Sequence, residues 1–183
     1  MKPAKKRGFK NREKASEFDQ RLLDLARVAR VVKGGRRFSF RATMVIGNRK
    51  GKVGVGVAKG ADVSMAINKA VNDAKKNLIL VKRKDATICY KQEAKFGAAK
   101  VFIKPAKDGR GIVAGGAMRT VIELAGIKNI TAKSFGSSNK INVAKATLSA
   151  LSKLEGKKMN EVSGGEKEKN IEETEKLVID TKE

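Results

Sequence analysis

Residues 31–40 read VVKGGRRFSF, with three cations and two glycines between β-branched residues and two alternating phenylalanines. Lysine and arginine side chains bind phosphate and carboxylate oxygens through charge-assisted hydrogen bonds. Glycine leaves room for a ligand to approach the main chain closely. The residues of this stretch that suit an anion are Lys33, Gly34, Gly35, Arg36 and Arg37. They predict a loop that faces a negatively charged partner rather than a buried turn.

A second cationic stretch, residues 47–53, reads GNRKGKV and is only superficially like a phosphate-binding loop. The nucleotide-binding motif needs four residues between its glycines and a Ser or Thr after the lysine, whereas here three residues intervene and Val53 follows Lys52. The stretch GVGVAKG likewise departs from the dinucleotide-binding pattern. Neither motif predicts a nucleotide site. The cations of this region extend the predicted anion-facing set to Arg41, Arg49, Lys50, Lys52 and Lys59.

The second half of the chain has two further small-residue stretches beside cations, VAGGAMR (113–119) and GSSN (136–139). At the start of a helix, free amide N–H groups attract an anion, and glycines let it come close. Tight packing of the helix against a sheet would account equally well for Gly115 and Gly116. Serine hydroxyls and the asparagine amide suit phosphate or ribose hydroxyl groups. The candidate residues of this half are Arg110, Gly115, Gly116, Arg119, Lys133, Ser137, Ser138 and Asn139.

The charge of the whole chain favours a polyanionic partner. The sequence has 42 Lys and Arg against 19 Asp and Glu, a net charge of +23 and a pI near 10.3. Residues 21–155 contain 29 of the basic and eight of the acidic residues, so the excess does not come from the N-terminal arm alone. Such a charge repels itself in a compact monomer unless a polyanion neutralises it. Nucleic acid is the leading partner, and an anionic membrane surface is the alternative.

Much of the usual catalytic and metal-binding inventory is missing from the sequence. It contains no histidine, which excludes imidazole catalysis and histidine metal ligands. Its one cysteine, Cys89, cannot form an internal disulfide and is interpreted as a small core residue rather than a nucleophile. No apolar run has the length of a membrane span, and no secretion signal is indicated. We therefore expect a non-enzymatic protein of a reducing compartment, without metal or cofactor.

The secondary structure of the first half is ambiguous at its start, whereas the residues that follow show a clear hydrophobic pattern. Residues 22–32 fit a helix as well as a strand. Residues 37–46 alternate as a half-buried strand does. One predicted face carries Phe38, Phe40, Ala42, Met44 and Ile46, and the other carries Arg37, Ser39, Arg41 and Thr43. Stacking of the two phenylalanines on RNA bases is one interpretation, but the aliphatic residues on their face favour core packing, which leaves the arginine face for RNA.

The following segments complete a predicted β-β-β-α unit over residues 21–84. Residues 47–51 are typical of a hairpin turn. The returning strand contains Gly54 and Gly56, which predict the close approach of another element. A helix is predicted after Asp62, a suitable N-cap residue, from the spacing of its apolar residues. The result is a three-stranded antiparallel sheet backed by one helix.

The second half, residues 85–155, predicts another unit of strands and helices, so the fold class is α+β with two small α/β sandwich domains. Strands are predicted at ATICY, AKVFIKPA and NITAKSF. One helix is predicted to end at Gly126 and a closing helix to start at Asn142. Residues 1–20 are predicted to be a basic flexible arm and residues 156–183 a mobile acidic tail.

Two long stretches resemble the bacterial small-subunit ribosomal protein S5 family. The first runs VVKGGRRFSF…VIGNRKGKVGVGVAKGADVSMAINKAVNDAKKNL, and the second KVFIKPAKDGRGIVAGGAMRTVIELAGIKNITAKSFGSSNKINVAKATLSAL. The match runs from Arg27 to Leu154 in the family's order and spacing. The resemblance implies an N-terminal double-stranded-RNA-binding-like domain that lacks its first helix, which makes residues 22–32 a strand. It also implies a C-terminal β3-α-β-α sandwich with a left-handed crossover.

The same resemblance implies a function. The protein would be a structural constituent of the cytoplasmic small ribosomal subunit that binds 16S ribosomal RNA by backbone and shape. It would touch ribosomal proteins four and eight, lie near the path by which messenger RNA enters, and contribute to translational accuracy. By residue matching, Lys33, Gly34, Gly35 and Arg36 form a hairpin tip that reaches into folded RNA. No small-molecule substrate, cofactor or membrane is implied.

Two other classes of function stay open at this point. The architecture of the second domain also occurs in ribonuclease P protein and in kinases, so an RNA-processing enzyme is one alternative. A metal-dependent nuclease needs clustered carboxylates, and the eight acids of residues 21–155 are scattered along the sequence. A membrane-surface protein is the other alternative. It needs a basic amphipathic helix with large apolar anchors, which the sequence lacks.

Overall fold

The computed structural model of the protein describes residues 17–156. Within these residues, eight strands and three helices form two four-stranded sheets and their covering layers. The strands are β1 (Asp19–Val32), β2 (Gly35–Gly47), β3 (Lys52–Gly60), β4 (Leu78–Leu80), β5 (Gln92–Phe96), β6 (Ala99–Pro105), β7 (Ile112–Val113) and β8 (Ile130–Gly136), and the helices are α1 (Val63–Lys76), α2 (Gly116–Ala125) and α3 (Lys140–Gly156). The predicted α+β class is confirmed.

The first sheet is antiparallel in the order β1-β2-β3-β4, and α1 packs on one of its faces. The packing is close because glycines of β3 meet alanines of α1. A Cβ atom at Gly56 would collide with the main-chain oxygen of Ala70, and one at Gly54 would lie 2.5 Å from that of Ala74. The predicted β-β-β-α order, the close approach at both glycines and the strand at residues 22–32 are confirmed.

The second sheet has the order β5-β6-β8-β7, and β7 is the one strand of it that runs parallel to its neighbour. α2 connects β7 to β8, and α3 follows β8. The order of elements is therefore three strands, helix, strand and helix, as the resemblance implied. Gly126 ends α2 in the left-handed conformation, with φ of +81°, which confirms the predicted stop.

One hydrophobic core runs through both halves of the chain. Val45, Val53 and Val55 of the first sheet belong to the same buried cluster as Leu124 of α2. A smaller cluster lies between the first sheet and α1, on the opposite face. The C-terminal end of β2 is therefore covered on both sides. The prediction that Thr43 lies on an exposed face is wrong, because Thr43 is completely buried on the same face of β2 as Val45 of the shared core.

Several segments of the second half differ from their predictions. Residues 86–90 are not a strand; they form an irregular segment in which Ile88 and Tyr90 are buried. The Tyr90 hydroxyl donates to the carbonyl of Leu154 at 3.0 Å, so this segment is tied to the end of α3. The strands β5 and β7 were not predicted, and neither was β4 of the first half, so the first sheet has four strands instead of the predicted three. Two to five residues are too few to show an alternating pattern.

The predicted terminal segments are only partly within the described residues. β1 begins at Asp19, so the boundary of the predicted arm at residue 20 is two residues too late. Residues 1–16 of that arm and residues 157–183 of the predicted tail lie outside the described residues.

Candidate nucleic-acid interface

β1 and β2 form a two-stranded ribbon that projects beyond the rest of the first sheet. β3 pairs with β2 only as far as Phe40, which lies opposite Gly60. From Ser39 back to Gly35, β2 pairs with β1 alone. These five residues extend the ribbon by about 17 Å at the usual rise of a strand. Most side chains of the ribbon are exposed, and Val31 is 76% exposed.

Lys33 and Gly34 form the two-residue turn at the end of the ribbon, and we call residues 33–36 the tip. Gly35 has a φ of +134°, a conformation that residues with a side chain rarely adopt. Gly34 differs, because its φ is not positive and an added Cβ atom would meet no described atom within 4 Å. Packing among the described residues therefore does not explain why position 34 is a glycine.

The ribbon is cationic, and no Asp or Glu lies between Asp24 and Asp62. One face, which we call the cationic face, carries two directly opposite pairs, Arg30 with Arg37 and Arg41 with Lys59. Like charges that lie opposite each other on neighbouring strands destabilise the pairing. An anion bound between them would relieve that repulsion.

Arg41 lies at the inner end of the cationic face and is half-buried. Its Nε atom is buried and has no hydrogen-bond partner within the described residues. A buried donor left unpaired costs about 1–3 kcal/mol. An oxygen atom of a bound anion would satisfy this donor.

The two phenylalanines of β2 have different environments. Phe40 packs against the small core beneath α1, as predicted. Phe38 is 51% exposed, and the guanidinium carbon of Arg27 lies 3.7 Å from its ring centroid. The prediction of core packing is therefore wrong for Phe38, because that core ends at Phe40 and the ribbon continues past it. The cation–π contact holds the Phe38 ring along the ribbon.

The turn at residues 47–51 is a hairpin turn, as predicted, but it is docked against the second half of the chain. The Arg49 N–H donates to the Leu124 carbonyl at 3.0 Å, and the Arg49 side chain pairs with Asp19 at 2.7 Å. A Cβ atom at Gly47 would collide with the Leu124 main chain. The predicted anion-facing residues are thus split. Arg49, Lys50 and Lys52 lie just past the far end of β2, about 40 Å along the strand from the tip.

The two small-residue stretches of the second half meet in one groove beside β1. The groove has a volume of about 440 Å³, and its lining includes Gly115, Gly116, Ser138 and Leu22. Both glycines are exposed, and a Cβ atom at Gly116 would meet nothing within 4 Å. Of the two interpretations of these glycines, tight helix–sheet packing is therefore not found. They leave the N-terminus of α2 open.

Two of the predicted polar contacts have structural partners of their own. Asn139 caps α3, because its Oδ1 atom accepts a hydrogen bond from the Ile141 N–H at 3.0 Å. The Ser137 hydroxyl accepts one from the Asn139 N–H at 3.2 Å. These side chains shape the loop before α3, and their remaining hydrogen-bonding capacity is what an RNA contact would use.

The last three predicted residues do not join the groove lining. Arg119 pairs with Glu123 one turn further along α2, at 3.2 Å. Arg110 is exposed on the loop after β6, and Lys133 is exposed on β8. The structure therefore distributes the predicted site residues over several surfaces instead of one.

Sequence reasoning missed three arginines that the structure makes important. Arg30 belongs to the cationic face, but its position opposite Arg37 depends on the register of a hairpin whose first strand was ambiguous. Arg21 pairs with Glu123 at 2.6 Å, and Arg83 donates to the Gly126 carbonyl at 2.9 Å. The latter two join the halves of the chain, and no local pattern in the sequence indicates such long-range partners.

Features of the other functional classes are not found in the part of the chain that the structure describes. Between residues 17 and 156, no three carboxylate or thiol side chains are placed where they could hold a metal ion together. None of the described helices is long and apolar enough to cross a bilayer.

The sequence matches two family models, the N-terminal domain of ribosomal protein S5 over residues 18–82 and the C-terminal domain of ribosomal protein S5 over residues 94–163. The small ribosomal subunit protein uS5 of Campylobacter jejuni is 51% identical over 146 residues, which cover 80% of this chain and 97% of the relative. The protein uS5c of Cyanidium caldarium is 53% identical over 141 residues, covering 76% and 84%. These matches and the fold define a structural, non-enzymatic protein of the small ribosomal subunit. Within that class, the chain belongs to the ribosomal protein S5 family.

Proposed function

We propose that the protein binds 16S ribosomal RNA with the tip and the cationic face of the β1–β2 ribbon. The observation that carries this proposal is the ribbon itself, which projects from the sheet, places arginines opposite each other and contains no acidic residue between Asp24 and the end of β2. Its recognition is by the shape and backbone of the RNA, since the deep, narrow major groove of helical RNA keeps side chains from its base edges.

A phosphate backbone supplies the negative charge that would neutralise the opposed arginines of the ribbon. A phosphate near Arg30 and Arg37 neutralises two charges that otherwise repel each other. Open space around Gly34 lets a phosphate oxygen approach the main chain of the tip. The positive charge of the arginines and the open space around Gly34 therefore both favour a phosphate group at this end of the ribbon.

Further contacts are proposed at two places away from the tip. One is the groove at the N-terminus of α2, where the exposed Gly115, Gly116 and Ser138 lie together. The other is the 47–51 turn, where Lys50 and the adjoining Lys52 keep exposed side chains although the main chain is docked. Because these places are separate, they require an RNA fold that presents more than one strand to the protein.

The family supports finer proposals about position. We propose contacts with ribosomal proteins four and eight, a location near the path by which messenger RNA enters the cytoplasmic small subunit, and a contribution to translational accuracy. We also propose that the two domains span residues 21–84 and 85–155, with the basic arm and the acidic tail on either side.

Sedimentation with small subunits at rising salt tests the RNA-binding role of the ribbon. The test variant combines Arg30→Ala, Arg36→Ala and Arg37→Ala, and the matched control combines Lys69→Ala, Lys75→Ala and Lys76→Ala on α1. The wild-type protein and the control are expected to stay with the subunits at salt concentrations that release the ribbon variant, because salt screens the attraction between phosphates and the remaining cations of the ribbon. Equal retention of both variants would contradict the proposal.

A further inference from the structure

The open face of the second sheet carries aromatic and cationic side chains in alternation. Helices α2 and α3 cover the other face, where Val101, Ile103 and Ala132 are buried in the core. Residues between them along each strand point away from that core. The open face therefore carries Lys95, Lys100, Phe102, Lys104, Lys133 and Phe135.

The strand register places each ring next to a lysine. Phe102 lies directly opposite Lys133, and Lys100 lies directly opposite Phe135. The two rings are thus diagonal neighbours on β6 and β8, a relation that puts their Cα atoms about 7–8 Å apart. Two flat apolar surfaces therefore stand side by side with cations at their edges.

Core packing does not account for these rings. Phe135 is 52% exposed, and Phe102 is half-buried. Neither belongs to the buried clusters or packs against them. Aromatic side chains left on a sheet face, away from the core, favour a ligand that stacks on them.

The charge of the open face identifies the kind of ligand. Glu93 pairs with Lys100 at 2.7 Å, whereas Lys95, Lys104 and Lys133 form no ion pair within residues 17–156. The face is therefore net positive around its two rings. A strand of single-stranded RNA matches both features, because its bases offer flat apolar surfaces and its phosphates carry negative charge.

We propose that the open face of the second sheet binds single-stranded RNA, with bases stacked on Phe102 and Phe135 and phosphates beside Lys104 and Lys133. This surface needs unpaired bases, in contrast to the ribbon, which takes the backbone of folded RNA. It lies on different strands from the ribbon, and the inference does not depend on the function proposed for the ribbon.

The test compares the binding of the full-length protein to two labelled chains of equal length and equal phosphate charge. One is oligouridylate and the other is an abasic ribose-phosphate chain, each of about twelve units, within the usual site size. The wild-type protein is expected to bind oligouridylate at least about tenfold more tightly, because each stacked base contributes about fivefold or more. The variant Phe102→Leu with Phe135→Leu is expected to lose this preference and to keep its affinity for the abasic chain.

Two controls separate this inference from general effects. Phe96→Leu removes an exposed ring from β5 that lies opposite the buried Ala99, hence on the helix side of the sheet, and should leave the preference intact. Arg36→Ala with Arg37→Ala should change the affinity for both chains by the same factor, if at all, and so leave the preference intact. A preference that disappears in the ribbon variant would place the base-binding surface on the ribbon and overturn the inference.

Two other results would overturn the inference directly. One is equal affinity of the wild-type protein for the two chains, as expected if a protein partner covers this face instead. The other is an unchanged preference in the double leucine variant with a wild-type thermal unfolding midpoint. If that variant does not fold, Lys104→Gln with Lys133→Gln takes its place. It must lower the salt dependence of oligouridylate binding, and an unchanged dependence would reject the proposed phosphate contacts.

Discussion

The tip at residues 33–36 and the turn at residues 47–51 look alike in sequence, since each combines two glycines with two cations. Their surroundings are opposite. A Cβ atom at Gly34 would meet only open space, whereas one at Gly47 would collide with the main chain of Leu124. The tip ends a projecting ribbon, and the turn is a joint between the halves of the chain.

The difference shows that a glycine in a cationic loop can be required by two kinds of neighbour. At Gly47 the neighbour is α2 of the same chain, so the residue is explained by the fold. At Gly34 the described chain supplies no neighbour, and we propose that a partner accounts for the glycine there. Substitutions at the joint should therefore affect stability, and substitutions at the tip should affect RNA binding.

Separating the halves should have the largest effect on stability. A fragment of residues 17–84 exposes Val45, Val53 and Val55, which α2 covers in the whole chain. A domain of about 60 residues buries only about 60% of its unfolded surface even when it is intact. We expect the fragment to lack a cooperative thermal transition by circular dichroism, and the full chain to unfold in one step. A fragment that melts cooperatively at high temperature without RNA would refute the shared core.

Gly47→Ala should be a strongly damaging methyl addition at the joint, and Gly34→Ala is its matched control at the tip. The collision at Gly47 is with main chain, which cannot move aside without shifting α2. Overpacking of this kind costs about 1–3 kcal/mol, and we expect the upper part of that range from urea unfolding. Gly34→Ala should change the free energy of unfolding by less than about 0.5 kcal/mol. Similar losses of stability for both would remove the distinction between tip and joint.

The ion pairs of Glu123, of which the one with Arg21 joins the two halves, should contribute much less. Glu123→Gln removes the partner of both Arg21 and Arg119, whose side chains are 52% and 57% exposed. Exposed pairs contribute about 0.2–1 kcal/mol each, so the variant should lose about 1 kcal/mol or less in urea unfolding at low salt. Molar salt should reduce the difference from the wild-type protein further. A loss of several kcal/mol would mean that charge rather than apolar packing holds the halves together.

Arg37→Glu should have the smallest effect on stability and the opposite sign. It replaces a repulsive cross-strand pair with an attractive one, because Arg30 lies directly opposite. Cross-strand charge pairs contribute about 0.2–1 kcal/mol, so the hairpin should become slightly more stable in thermal unfolding. The same variant should bind ribosomal RNA more weakly. A variant that is both more stable and an equally good binder would exclude Arg37 from the interface.

The sequence predicted the elements whose pattern is long and regular. The alternation of residues 37–46 indicated a strand, and the helical spacing before Gly126 indicated α2 with its stop. Short strands such as β4 contain too few residues to show an alternating pattern. Residues 86–90 were mistaken for a strand because a short run of apolar residues is expected both in a buried irregular segment and in a buried strand. The burial of both faces of β2 could not be predicted, because it depends on packing against elements that are distant in the sequence.

The candidate site was predicted in composition but not in arrangement. Residue type alone identified the cations of the tip and of the turn, yet only the structure showed that the turn docks against α2 whereas the tip projects from the sheet. The open face of the second sheet was missed for a similar reason. Phe102 and Phe135 are far apart in sequence, and only the pairing of β6 with β8 brings them together.

The salt dependence of binding to 16S ribosomal RNA tests the central claim most directly. Arg36→Ala with Arg37→Ala should lower the log–log slope of affinity against salt by roughly 0.7–0.9 for each phosphate that the protein no longer neutralises. Lys75→Ala with Lys76→Ala, which removes the same charge from the end of α1, should leave the slope nearly unchanged. An unchanged slope in the ribbon variant, or an equal decrease in both variants, would contradict the claim that the projecting ribbon holds the RNA backbone.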